Sequence, residues 1–218
     1  MVSETAGRPV AVVIGDLVRS RQAADRADLH RTLQRSLREA SRRPALEPFA
    51  ITAGDEFQGT FATVGDALRA ALDVRLALAP EHDVRFGIGF GPVQLLDPST
   101  RIQDGPAWWV ARDAINAVEQ LAGQPGTRHA RFGYARVDDE LARIGPDPAA
   151  VGAALLCRDH LIGSLDDRSL RVLGGLMAGA TRTAIAASEG TSTSAISQRA
   201  HAHGLDVIVS ASALLAAL

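Results

Sequence analysis

Residues 9–63 show apolar and polar positions in patterns that predict short strands separated by a helix. The β-branched run at residues 9–18 ends in an acidic residue, which is typical of a buried central strand. Leucines recur at every fourth position within residues 24–43, which predicts a helix with a narrow apolar stripe. Residues 49–63 contain two apolar runs around a glycine-containing turn, which predicts a β-hairpin.

The next segments continue this alternation. Residues 64–79 predict an apolar helix, and residues 82–97 predict a strand with glycine at alternate positions, where the backbone kinks or another element approaches closely. Residues 104–123 predict another helix and residues 128–137 a last strand. The resulting order, β-α-β-β-α-β-α-β, predicts an α+β fold with a mostly antiparallel sheet and helices packed on one face.

The second part of the chain predicts helices, with one strand-like run, VIVS, at residues 207–210. Residues 138–163 are interpreted as a helical connector, and residues 164–218 are rich in alanine and serine. We therefore place a domain boundary near Gly163. The first domain comprises residues 1–163, and a small all-α domain comprises residues 164–218.

Residues 182–201 have the spacing of a helix-turn-helix. Ala186 is a small residue in the first helix, Gly190 can form the turn, and Ile196 can anchor the second helix six residues later. In a DNA-binding unit of this kind, the residues expected to face the major groove are Ser194, Ser197, Gln198 and Arg199. Because residues 164–218 contain four arginines and four acidic residues, they supply little charge for phosphate contacts. A helical dimerisation or docking module therefore stays open as the alternative.

Composition narrows the class of protein. Of the 218 residues, 46% are hydrophobic and 22% charged, the net charge is −2, and every basic residue is an arginine, as expected for a soluble globular chain. A single cysteine, Cys157, excludes an intrachain disulfide. No run is long and apolar enough for a signal peptide or a membrane span, so we expect a cytoplasmic protein without a membrane partner.

Acidic residues mark the candidate chemistry. Asp55 and Glu56 lie in the predicted hairpin turn, and Asp16 ends the first strand, which a β-α-β-β sheet places beside the hairpin. Two carboxylates repel each other unless a cation lies between them, and Mg²⁺ (or Mn²⁺) prefers such oxygen ligands together with substrate phosphates. Arg19 and Arg21 follow the first strand and are expected to hold a triphosphate. The alternative is that Asp16 caps the next segment and the two turn acids are simply solvated.

Four motifs, taken in order, carry a resemblance to known families. The sequence AGDEF at residues 53–57 resembles the GGDEF signature of diguanylate cyclases. The stretch VRFGIGFGPV, followed by DGPAWWVARDAI, is similar to the strand and helix signature of class III nucleotidyl cyclases. The ordered set VVIGDLVRSR, ITAGDEFQG, RFGIGFG and DGPAWWVARDAI, with a helix-turn-helix tail, most closely resembles the SatD family.

This resemblance implies a ferredoxin-like, nucleotidyl-cyclase-like palm with a β-α-β-β-α-β core, followed by the helix-turn-helix domain. It implies that Asp16 and Asp55 are metal ligands with Glu56 as their neighbour, that Gly54 is the turn glycine of a nucleotide-binding hairpin, and that Arg112 lies near the cyclases' catalytic arginine. Two positions depart from the cyclase pattern. Trp109 stands near the place of an asparagine, and Ile51 stands at the place of a base-reading lysine. We therefore expect metal and phosphate binding and little turnover.

Three functions remain open on these grounds. The leading hypothesis is a regulatory homodimer that binds a nucleoside triphosphate or cyclic nucleotide with Mg²⁺ and acts through its tail on DNA or a partner. The alternative is an active nucleotidyl cyclase that uses ATP or GTP and two metal ions. A third possibility is an interaction protein with a vestigial palm.

Overall fold

The computed structural model describes residues 8–20, 25–41, 43–97, 99, 101–140 and 142–218. Within these residues the chain forms a five-stranded sheet, a separate two-stranded hairpin and eight α-helices. In chain order the elements are β1 (Val10–Leu17), α1 (Arg26–Ala40), β2 (Glu47–Ala53), β3 (Glu56–Phe61), α2 (Val64–Leu78), β4 (Val84–Gly91), β5 (Gln94–Asp97), β6 (Ile102–Asp104), α3 (Pro106–Ala122), β7 (Phe132–Arg136), α4 (Pro148–Gly163), α5 (Asp167–Met177), α6 (Arg182–Ser188), α7 (Thr193–Ala202) and α8 (Leu205–Leu215).

The large sheet has the strand order β2-β3-β1-β4-β7. β1 lies at its centre and pairs antiparallel with both β3 and β4, while β7 pairs parallel with β4. The mixed α+β class and the predicted element order from β1 to β4 are therefore confirmed. The candidate site lies at the end of β1, where the neighbouring strands β3 and β4 also carry polar side chains.

The predicted strand at residues 82–97 is wrong in one respect, because the structure divides it into β4 and β5. Pro92 lies between the two parts and has no backbone N–H to donate to a neighbouring strand. Its carbonyl instead accepts a hydrogen bond from the N–H of Ala107. β5 turns away from the large sheet and pairs with β6.

The prediction that all helices pack on one face is also wrong. α1 and α2 cover one face, where Val13 and Leu17 are buried, and α3 covers the other face, where it buries Val12 and Ile14. The glycines of β4 explain the difference. A Cβ atom on Gly89 would lie 2.0 Å from the carbonyl oxygen of Ala107, so glycine lets α3 lie directly on the strand.

A continuous apolar cluster joins the sheet to the C-terminal helices. Phenylalanine rings fill its centre, with Phe57 making edge contacts to Phe49 and Phe86 at centroid distances of 5.4 and 5.9 Å. The same cluster includes Leu173 in α5 and Ile208 in α8. α5 and α8 both pack on α2, and α8 also packs on α4. The proposed domain boundary near Gly163 stays a prediction.

In the C-terminal region, short turns join α6 (Arg182–Ser188), α7 (Thr193–Ala202) and α8 (Leu205–Leu215). The strand-like run at residues 207–210 is in fact part of α8, because Ile208 is buried against neighbouring helices rather than in a sheet. Among the described residues, no helix combines the length and the apolar character needed to cross a bilayer.

Candidate functional site

Strand pairing brings Asp16 to the hairpin turn. In the β1–β3 ladder Gly15 pairs with Phe57, so Asp16 is the next residue of β1 and lies beside the start of β3. The turn between β2 and β3 contains Gly54, which has a positive φ of 63°, and Asp55. Burial raises the pKa of the Asp16 carboxyl, and the negative charge of Asp55 raises it further. The strand register therefore places the two acids at the same end of the sheet.

An arginine occupies one side of Asp16. Arg85, in β4, pairs in register with Asp16 and donates from Nε at 3.2 Å and from a terminal nitrogen at 2.9 Å. The same guanidinium donates to Glu119 of α3 at 2.6 Å. These contacts oppose the effect of burial on the pKa of Asp16. Arg85 thus supplies positive charge at the place where the sequence predicted a metal ion.

Asp55 differs from its neighbours because its carboxylate has no hydrogen-bond donor or ion-pair partner within the residues that the structure describes. It lines a small cleft of about 270 Å³ between the hairpin turn and the first half of α1, together with Gly54, Arg26 and His30. At the start of α1 the N–H of Asp28 donates to the side chain of Asp25, the N-cap residue of the helix.

Glu56 pairs with the arginine that the resemblance linked to catalysis. Arg112, in α3, donates to both carboxylate oxygens of Glu56 at 2.7 and 2.8 Å. The hydrogen bonds from Arg112 hold the pKa of Glu56 below its ordinary value, although burial acts in the opposite direction. Both groups are therefore charged at neutral pH, and each neutralises the other.

These contacts bear on the metal prediction. Among the described residues, no three His, Cys, Asp or Glu side chains come together as a metal-binding group. The two carboxylates Asp16 and Asp55 have the chemistry that Mg²⁺ prefers, and Mg²⁺ commonly uses one or two carboxylates plus phosphate and water. Asp16 and Asp55 match this ligand chemistry, but Asp16 is already bound by Arg85 and Glu56 by Arg112, and the metal site stays a prediction.

The other predicted ligand residues lie on different parts of this end of the sheet. Arg19 follows β1, is exposed and has a positive φ of 59°. Arg21 lies outside the described residues. Trp109, which replaces the cyclase asparagine, is 60% exposed and donates from Nε1 to Asp104 at 3.1 Å.

The predicted DNA-contacting residues of α7 differ in exposure and in their hydrogen bonds. Ser194 and Gln198 are exposed, and Ser197 is half-buried and bonds to the carbonyl of Thr193. The remaining residue, Arg199, forms an ion pair within the protein. Its terminal nitrogen donates to both carboxylate oxygens of Asp166, at 2.8 and 2.9 Å, and this pair anchors α7 to the start of α5.

Sequence reasoning missed Arg85 and Glu119. Arg85 is the first residue of the motif RFGIGFG. The signal was present, since an antiparallel β1–β4 pair with Gly87 opposite Ile14 places Arg85 opposite Asp16. Glu119 carries no such signal, because it depends on where α3 lies over the sheet.

A model of the SatD family matches residues 10–140, which is more than half of the chain. The chain belongs to the SatD family. The matched region extends from β1 past β7 and contains the acids and arginines at the end of the large sheet, whereas α4 to α8 lie outside it. None of the curated proteins is similar enough to the sequence to match it.

Proposed function

We propose that this SatD-family protein is a regulatory protein that binds a nucleotide through a divalent cation held by Asp16 and Asp55. One observation carries the proposal. The β1–β3 ladder ends with Asp16 beside a tight turn that holds Asp55, and the negative charge of Asp55 is one of the smaller causes of the raised pKa of Asp16. The likeness of the surrounding motifs to cyclase palms supports a nucleotide as the ligand that completes the cation's shell.

Arg85 competes with a cation for the carboxylate of Asp16. Its two hydrogen bonds already satisfy much of the Asp16 carboxylate, so a cation must displace Arg85 or use the remaining lone pairs. We therefore expect the metal ion alone to bind weakly, and a nucleotide that brings its own phosphate oxygens to bind the metal-loaded protein better. When bound, Mg²⁺ would supply positive charge to the phosphates.

Catalytic turnover is not part of the proposal. Arg112 is held by Glu56 in a bidentate pair, and an exposed tryptophan, Trp109, stands near the place of the cyclase asparagine. Incubation with ATP or GTP and Mn²⁺ is expected to release no more pyrophosphate than buffer alone. Release above that background would favour an active cyclase.

The test uses a charge-neutral variant. Asp55→Asn keeps the size of the side chain and breaks no contact among the described residues, so loss of binding would report the charge itself. We expect isothermal titration with Mg²⁺–ATP and Mg²⁺–GTP to show binding of at least one of them to the wild-type chain and an affinity at least 10-fold lower for Asp55→Asn.

The matched control is Asp138→Asn. The Asp138 side chain is 95% exposed, and its contact to Arg143 is long, at 3.7 Å. This variant should bind like the wild-type chain. Equal affinity in Asp55→Asn and Asp138→Asn, or binding by none of the three proteins, would contradict the proposal.

In this proposal the helix-turn-helix at residues 182–202 transmits nucleotide binding to DNA. Gly190 takes a positive φ of 61° in the turn between α6 and α7. Within α7, Ile196 is buried, whereas Ser194 and Gln198 are exposed. We propose that this exposed face contacts DNA. Fluorescence anisotropy with a labelled duplex tests it: binding that weakens in Gln198→Glu is expected, and the same titration curve for Gln198→Glu as for the wild-type chain contradicts it.

A further inference from the structure

A second cleft, of about 660 Å³, opens where β1 ends and β4 and β7 begin. Its volume lies within the range of small-molecule sites, roughly 300–1,000 Å³. Four arginines from separate parts of the chain line it: Arg19, Arg85, Arg128 and Arg131. We call this surface the arginine cleft.

The arginine cleft is positively charged. Its four arginines face two lining carboxylates, Asp83 and Glu119, and Arg85 is also paired with Asp16, which leaves a net charge of +1 in a chain whose own net charge is −2. The end of α3 also lines the cleft and contributes the negative end of a helix dipole, about half a charge, which does not cancel this excess. The arginines therefore create a local positive potential.

Two of the arginines are held in place. Arg85 is fixed by its bonds to Asp16 and Glu119. Arg131 donates to Asp83 at 2.5 Å and to the carbonyls of Arg128 and Ala130 at 2.9 and 2.7 Å. A guanidinium that is already oriented loses little freedom when a ligand binds, so these two residues form a rigid floor for an anion.

The other two arginines carry charge that the described residues do not neutralise. Within the described part of the chain, neither Arg19 nor Arg128 has an ion-pair partner, and Arg128 Nε donates only to Nε2 of His129, at 2.9 Å. Burial, and next the charge of Arg128, lower the pKa of His129, so this ring is a neutral acceptor at neutral pH.

Arg19 is also held in a costly backbone conformation. Its φ of 59° lies in the left-handed region, which costs a residue other than glycine on the order of 1–2 kcal/mol. Strained residues of this kind cluster at ligand-binding sites. The strain and the unneutralised charge are independent observations on the same residue, and both are explained if an anion completes the site.

We propose that the arginine cleft binds a polyphosphate anion directly, without a metal ion, by guanidinium hydrogen bonds from Arg19, Arg128 and the two fixed arginines. Planar guanidinium groups match phosphate oxygens two at a time, which favours a phosphate chain over a single monovalent anion. That the anion is the phosphate chain of a nucleotide rests on the proposed function, whereas binding of polyphosphate itself does not.

The test uses inorganic triphosphate in the presence of EDTA, measured by isothermal titration on the full chain. Arg19→Gly removes the guanidinium and relieves the backbone strain. Its matched control is Arg101→Gly, because Arg101 also has a positive φ, of 57°, is exposed, and does not line the cleft. Arg128→Ala provides a second, independent variant. We expect triphosphate to bind the wild-type chain and Arg101→Gly equally, and to bind Arg19→Gly and Arg128→Ala at least 10-fold more weakly.

Three results would overturn the inference: no binding of triphosphate to the wild-type chain, unchanged affinity in Arg19→Gly and Arg128→Ala, or equal heat from sulfate at matched ionic strength. Asp55→Asn separates this inference from the proposed function. Metal-free triphosphate should bind Asp55→Asn like the wild-type chain. If metal-free triphosphate binds as expected but the affinity for Mg²⁺–nucleotide is the same in Asp55→Asn and the wild-type chain, only the proposed function fails.

Discussion

At the end of β1, three acidic residues differ in their neighbours, and the neighbours decide what each can do. Asp16 is bound by Arg85 and Glu56 by Arg112, whereas Asp55 has no such partner among the described residues. Burial dominates at Asp16 and raises its pKa, while the bonds from Arg112 dominate at Glu56 and lower its pKa. The pKa values of Asp16 and Glu56 are therefore shifted in opposite directions at this end of the sheet.

The pair between Arg112 and Glu56 gives a pH-dependent prediction. Because the pKa of Glu56 is lowered in the folded protein, its contribution to stability is complete above its unfolded value of 4.5 and is lost as pH falls through the lower folded value. Arg112→Gln should reduce the free energy of unfolding at pH 7 by about 0.5–1 kcal/mol, the upper range for exposed pairs. Urea denaturation should show this difference shrinking as pH falls below 4.5.

Arg31→Gln is the control for this prediction. Arg31 makes a single bond to Asp28 at 3.2 Å, and both side chains are about 60% exposed, so its removal should change stability little. A loss of stability in Arg112→Gln that is the same at pH 7 and at pH well below 4.5 would contradict the assignment to Glu56.

The sequence could indicate the acids but not their partners. Asp16 and Asp55 stood out because each ends or interrupts an apolar run, and strand order alone brings them together. The role of Arg85 depends on the register between β1 and β4, and that of Arg112 depends on which face α3 covers. Both are tertiary facts that a local pattern does not contain.

At the scale of elements, the packing of α3 on β4 decides the shape of the site. Gly87 and Gly89 of β4 face α3, and a Cβ atom at either position would lie within 2.2 Å of a helix carbonyl oxygen. This close approach brings Arg112 and Glu119 of α3 within hydrogen-bond distance of Glu56 and Arg85.

Gly89→Ala should force α3 away from the sheet and lower the free energy of unfolding by about 1–3 kcal/mol, as other overpacking substitutions do. Gly152→Ala is the control, since Gly152 lies inside α4 with no atom within 4 Å of an added Cβ. That substitution should stabilise the protein by about 0.5–1 kcal/mol. Chemical denaturation measures both, and a Gly89→Ala variant as stable as the wild-type chain would contradict the described packing.

Element order was predictable because strand and helix periodicities differ, but two features of the elements were not. Glycines at alternate positions indicated a close approach without saying which element approaches. The run at residues 207–210 has high β propensity, yet it lies in α8 because the neighbouring helices bury Ile208. Tertiary contacts override the local preference of this run.

At the scale of the whole molecule, one apolar cluster spans the sheet and the C-terminal helices. α2 is the shared element, since it packs on β1 and β4 on one side and on α5 and α8 on the other. Such a shared layer predicts that the sheet and the tail unfold together, whether or not residues 164–218 are regarded as a domain.

Leu173→Ala tests this cooperativity. Leu173 in α5 is fully buried, so its truncation should cost about 2–5 kcal/mol. Tryptophan fluorescence from α3 and circular dichroism from all helices should give the same shifted midpoint. The control Leu214→Ala, at a side chain that is 75% exposed, should leave the midpoint unchanged. An early helical transition without a change in fluorescence would show that the tail unfolds alone.

Anomalous diffraction from crystals grown with Mn²⁺ and a non-hydrolysable nucleoside triphosphate would locate a cation that Asp16 and Asp55 share with a bound nucleotide. We expect an anomalous peak roughly 2 Å from a carboxylate oxygen of each residue, the distance typical of small divalent cations. We also expect the phosphates to lie toward the arginine cleft. Nucleotide density with no peak between the two carboxylates, and with Arg85 still bound to Asp16, would contradict the proposed function.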